Sequence, residues 1–116
     1  MARAPEAMAK TESLFRDVNE RIATAAGGFG SDDAEFVCEC ADPTCVDRVE
    51  VPLEAYEEVR SESTTFILAN GHEEGSIEKV VETRRRFQIV EKANRKVVAV
   101  VKKLDPRRVE PGLKPG

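Results

Sequence analysis

The chain has 116 residues, enough for one compact domain and short for two. Apolar residues are 41% of it and tryptophan is absent, so any core is mainly aliphatic, and no run of about eighteen apolar residues exists to span a bilayer as a helix. The formal net charge of −4 is unevenly spread: residues 1–76 hold 6 Lys/Arg against 17 Asp/Glu, net −11, and residues 77–116 hold 12 against 5, net +7.

Such asymmetry marks either acidic and basic surfaces that face each other or a basic face for an acidic partner. The first residues, "MARAPEAMAKTESLFRD", contain no apolar h-region and do not read as a secretory signal. The expected location is cytoplasmic, where thiols stay reduced and clustered cysteines more often bind metal or do redox work than form structural disulfides.

Residues 1–10 read as a flexible N-terminus. Thr11 is a candidate N-cap, because its hydroxyl can accept from a free amide of the first turn. Leu14, Phe15, Val18, Ile22 and Ala25 then recur at helical spacing, with Arg16, Asp17, Glu20 and Arg21 opposite. That pattern predicts an amphipathic helix over 12–26, stopped by "GGFG" at 27–30. Its apolar face either docks on the domain or pairs with a second copy to make a homodimer. The glycines follow a helix instead of a strand, so they do not form a phosphate-binding loop.

"AEFVCEC" places Phe36, Cys38 and Cys40 at strand period, and "VDRVEV" at 46–51 alternates again, with Cys45, Val49 and Val51 on one face. "ADPT" between them is a turn, and the two runs read as a hairpin. Pro52 suits the first position of a helix over about 53–61, with Leu53, Tyr56 and Val59 on one face. "TTFILA" at 64–69 is strand-like, "NGHEEGS" is a loop, and "IEKVVET" with "FQIVEK" forms a second hairpin around Arg84–Arg86. In "ANRKVVAVVKKLDP", Val97, Val98, Val101 and Leu104 fit a helix face capped by Asn94, although the β-branched run also suits a buried strand; the helix is preferred. Pro106 ends it. The expected organisation is a flexible segment 1–10, a single α+β domain over 11–105 and a flexible tail 106–116.

All three cysteines fall in "CECADPTC", and the only histidine, His72, lies in "NGHE". A structural zinc site takes four ligands in a tetrahedron, and Cys3His is a common set. Cys38, Cys40, Cys45 and His72 would supply it with nothing left over. Sulfurs sharing one zinc lie about 3.8 Å apart, given Zn–S bonds of about 2.3 Å. His72 can join them only if the strand at 64–69 runs beside the first hairpin. The C-x-C-x4-C spacing is not that of common zinc fingers. Buried free thiols and a redox cysteine pair therefore remain the alternatives. Three thiolates and an imidazole close the shell, so a metal here is structural and not catalytic. "HEE" does not complete the deaminase signature, and no H-E-x-x-H or G-x-S-x-G is present.

Arg84, Arg85 and Arg86, followed by the lysines up to Lys103, could contact nucleic-acid phosphates. Phe87 alternates inward and no exposed aromatic is interleaved with the basic residues, which disfavours a single-strand stacking platform.

The segments "LFRDVNERI", "FVCECADPTC", "VEVPLEAYEEVR", "TTFILANGHE" and "VVE…RFQIVEK" resemble a family of small uncharacterised bacterial proteins, chiefly actinobacterial, over roughly residues 14–92. The resemblance implies a common site at Cys38, Cys40, Cys45 and His72 and implies no activity. The basic run 84–103 departs from that family's pattern.

The sequence therefore predicts a zinc-stabilised α+β domain with an N-terminal amphipathic helix, two β-hairpins, a short middle helix and a C-terminal helix. It reads as a non-enzymatic module holding Zn²⁺ and acting through a protein partner. Nucleic-acid binding through 84–103 and thiol or zinc-release sensing are the other readings.

Overall fold

The computed structural model describes residues 4–108. In chain order it contains helix α1 (Pro5–Gly28), strands β1 (Asp33–Val37) and β2 (Arg48–Pro52), helix α2 (Leu53–Arg60), strands β3 (Thr65–Leu68), β4 (Glu78–Thr83) and β5 (Gln88–Lys92), and helix α3 (Arg95–Lys103). This is the expected α+β arrangement. The strands form two small antiparallel sheets, one of β1 and β2 and one in the order β3-β5-β4. Phe36 lies opposite Val49 in the first ladder, and Val80 and Phe66 flank Val90 in the second.

The last helix forms because Asn94 caps it: its side chain accepts from the amides of Lys96 and Val97. Val97 and Val101 are buried, whereas Leu104, expected on the same face, is largely exposed. Gly30 ends α1 in the left-handed region at φ 72°, with the Ser31 amide donating back to the Ala26 carbonyl, a geometry glycine adopts without strain.

Three expectations need correction. The first helix begins at Pro5, which supplies a suitable first helical residue, and not near residue 12. Met8 and Ala9, placed by the sequence in a flexible segment, are buried, and the Thr11 hydroxyl donates to the Ala7 carbonyl inside the helix instead of capping it. The expected tail also starts too early: Arg107 is held by ion pairs to Glu20 and Glu57. Residues 1–3 and 109–116 lie outside the described residues.

The third correction concerns which side of α1 is covered. Leu14, Val18 and Ala25 face outward, and the buried side carries Glu12, Ser13, Arg16 and Asn19. Apolar spacing identifies a stripe but not what covers it. Here the inner stripe meets polar groups that need partners. Asn19 donates to the Val37 carbonyl and accepts the Val37 amide, closing the end of β1. The Arg16 guanidinium donates to the carbonyls of Ser63 and Val101, 2.7 and 2.8 Å away, and lies over the Phe66 ring.

The hydrophobic interior forms two clusters. One gathers Met8, Ala9, Cys38, Cys40, Phe66, Leu68, Ile77, Val90, Val97 and Val101. The other gathers Ala23, Phe36, Val49, Val51, Ala55, Tyr56, Val59, Ile67 and Phe87, with Phe36 and Tyr56 stacked at 4.4 Å. Among the described residues no helix is long and apolar enough to cross a membrane.

Candidate metal centre

The three cysteines do not sit on regular strands. Pairing of β1 with β2 ends at Val37 and Arg48, apart from one further bond from the Cys38 amide to the Asp47 carbonyl. Residues 38–47 then form an irregular loop. Asp42 shapes its tip, accepting from the Thr44 amide and hydroxyl, and the Cys45 amide donates back to the Asp42 carbonyl. This turn folds Cys45 back towards Cys38 and Cys40, as the "ADPT" signal suggested.

Glu39 anchors the loop to the second sheet. Its amide donates to the Ile67 carbonyl, and its fully buried carboxylate accepts from the Ile67 amide and from Asn19. Burial pushes the Glu39 carboxyl above the ordinary range, against the pull of those two donors. β3 thus runs beside the cysteine loop, as the site requires, although its ladder partner is β5 and not the first hairpin.

That placement delivers His72. The chain turns sharply after β3, with the His72 amide donating to the Ala69 carbonyl and Gly71 at φ 87°. A side chain at that left-handed position would strain the turn that aims the imidazole.

The result is a compact donor set. One ligand atom from each of Cys38, Cys40, Cys45 and His72 lies within 4.8 Å of all the others. His72 Nδ1 is 3.5 Å from Cys38 Sγ and 3.6 Å from Cys45 Sγ. A tetrahedral zinc with Zn–S near 2.3 Å and Zn–N near 2.05 Å requires an S···N edge of about 3.6 Å. The two separations therefore match one edge length of such a tetrahedron. Cys38 and Cys40 are buried, Cys45 is half-buried, and all three are free thiols.

Burial pushes the Cys45 thiol up and adds to the rise at Cys38, caused first by its hydrogen bond with Cys40, and backbone amides near the sulfurs pull the other way. Cys38 Sγ accepts the Ala69 amide at 3.2 Å. The Asp42 amide lowers the Cys40 thiol and the Asp47 amide works against the burial that raises Cys45. A backbone N–H at a sulfur is the contact that disperses thiolate charge at a sulfur-rich centre, and Cys38 has one. The Cys40 thiol is pushed down to about 5, first by its hydrogen bond with Cys38 and further by the Asp42 amide. The same bond with Cys38, followed by burial, pushes Cys38 up.

Sequence reasoning missed Asp47. Its carboxylate lies 3.2 Å from His72 Nε2, on the far side of the ring from the sulfurs. An acceptor there places the proton on Nε2 and frees the Nδ1 lone pair to face Cys38 and Cys45. The only sequence signal was an acidic residue two positions after the last cysteine.

A cleft of about 830 Å³ opens beside the cluster, between Met8 and Pro5 of α1, Pro43 of the cysteine loop, and Glu74 and Asn94. Cys40 and His72 line its floor. The arginine run lies elsewhere, exposed between β4 and β5. Arg84 pairs with Glu82 and stacks on Phe87, and Arg86 pairs with Glu50 at 2.6 Å. Compared with protein-family models, curated proteins and solved structures, the chain matches none.

Proposed function

We propose that this protein is a structural zinc-binding module in which Cys38, Cys40, Cys45 and His72 hold one Zn²⁺ and a macromolecular partner, most simply a protein, is bound by the stabilised domain. The observation that carries the reading is the pair of Sγ···Nδ1 separations, 3.5 and 3.6 Å, which equal the edge of a zinc tetrahedron, in a set with no cysteine or histidine left over. Sulfur-rich ligation favours zinc over hard cations. With four protein ligands the shell is closed, so the metal acts on the fold and leaves no position for an activated water. The cleft next to Cys40 and His72 offers the partner a recess whose walls depend on the metal-bound loop.

Nucleic-acid binding through Arg84–Arg86 is the weaker reading, since two of the three guanidiniums already have carboxylate partners. The test is elemental analysis of protein purified under reducing conditions without added metal. One zinc per chain, lost in Cys45→Ser and in His72→Ala, is the expected result. Metal-free protein with three titratable thiols and unchanged melting overturns the proposal.

A further inference from the structure

We infer that the outward face of α1 is an antiparallel homodimer surface, and that a second copy of this chain covers it. Leu14, Val18, Arg21, Ala25 and Gly28 recur alternately four and three residues apart along the helix, the spacing of a helix–helix seam. Leu14 is 62% exposed and Val18 39%, and Phe29 at the helix end is 88% exposed. These are three of the six large apolar side chains that the described residues leave open to solvent. The opposite face of the same helix is buried with a polar stripe, so the exposure is not the residue of a poorly packed helix.

Charge selects a second copy as the occupant. Asp17 lies beside the seam and Arg21 within it, on the same outward side; the two attract each other along the helix, and neither makes an ion pair within 4 Å among the described residues. Two copies of α1 related by a two-fold axis crossing at the level of Asn19 run antiparallel. That symmetry sets Asp17 of each copy against Arg21 of the other, twice, and brings each Leu14 level with Thr24, next to Ala25, of the other. The small surfaces at Ala25 and Gly28 let the helices approach closely. With the axis at Asn19 the two helices overlap over residues 10–28, about 28 Å, a short contact, so the dimer should depend on concentration.

Sedimentation velocity of the zinc-loaded full chain over a concentration series tests this. The wild type is expected to dimerise, and Leu14→Glu to remain monomeric. Asp17→Arg and Arg21→Asp, taken singly, each oppose like charges across the axis and should weaken self-association by at least about tenfold. Mixed in equal amounts, the two variants pair opposite charges again, and the heterodimer should recover to within about threefold of wild type. No structural side effect of either substitution produces that recovery. A wild type that is monomeric throughout, or a mixture no better than its components, overturns the inference. Zinc content, read on the same samples, is independent: a zinc-loaded monomer leaves the metal reading standing, and a metal-free dimer does the reverse.

Discussion

The two hydrophobic clusters share α1 as a wall but are closed by different means. The cluster around Phe36 and Tyr56 is bounded by a regular ladder, a helix and a stacked aromatic pair. The cluster around Cys38 and Cys40 is bounded by the irregular loops 38–47 and 69–77 and has one aromatic residue, Phe66, which packs against Arg16 and Lys92. Burial of aromatic area suffices for the first. The second has fewer aromatic side chains and more loop to order, so a cross-link between its two loops contributes there.

Metal removal should break this comparison most sharply. Chelation of the proposed zinc is expected to abolish hydrogen-exchange protection of the Ala69 amide, whose acceptor is Cys38 Sγ, and of the Cys45 amide. The effect should be the largest of any treatment, because for small metal sites binding energy is folding energy. Amides of the β1–β2 ladder should hold their protection longer as zinc is withdrawn. Uniform loss across both clusters would show that they do not unfold separately.

The converse perturbation is Tyr56→Ala. Tyr56 is fully buried against Phe36, and the truncation should cost about 3–5 kcal/mol in denaturant unfolding. Zinc stoichiometry should stay unchanged, because the ring lies in the other cluster. Loss of zinc in this variant would show that the aromatic cluster supports the metal loops.

Asp47→Asn sharpens the comparison at the metal side alone. Asp47 is exposed and touches the site through His72 Nε2. Loss of the carboxylate should weaken zinc affinity about 10- to 100-fold, measured against a chromophoric chelator, with little change in the stability of the fully loaded protein. Unchanged affinity would mean that the imidazole is fixed by the Gly71 turn alone.

How far these features could be read from the sequence varied with their chemistry. Asn94, the Cys-rich segment and the Arg84–Arg86 turn carry local signals, and α3, the four-residue donor set and the second hairpin followed from them. The buried face of α1 was not legible. Leu14 and Val18 look like core by spacing, and only the tertiary positions of Val37, Ser63 and Val101 explain why Asn19 and Arg16 are buried instead. Asp47 was hidden for a similar reason: an exposed loop acid gains its role from a histidine that arrives from β3. Cys38 and Cys40 lie off the strand because period two persists in the sequence past Val37, where Glu39 turns inward to bind β3.

Over the Phe66 ring of the cysteine cluster, Lys92 sits 2.8 Å from Glu12 and also contacts Glu78, so one buried cation faces two buried carboxylates. A single positive charge neutralises one of them, and the other retains its proton. Burial, against the pull of Lys92, pushes the Glu12 carboxyl up from 4.5 to about 9. Its folded pKa is thus above its unfolded one. The associated stability is complete below about pH 4.5 and drains away as pH rises towards 9. Between pH 7 and 9 the wild type should lose up to about 1.4 kcal/mol per pH unit from this source. Glu12→Gln keeps the shape and removes the titration, so its melting temperature should fall less steeply over that range. The two curves should meet or cross on the alkaline side. Parallel curves would show instead that Glu12 is ionised beside Lys92, and that the seam is held by two charged carboxylates on one ammonium.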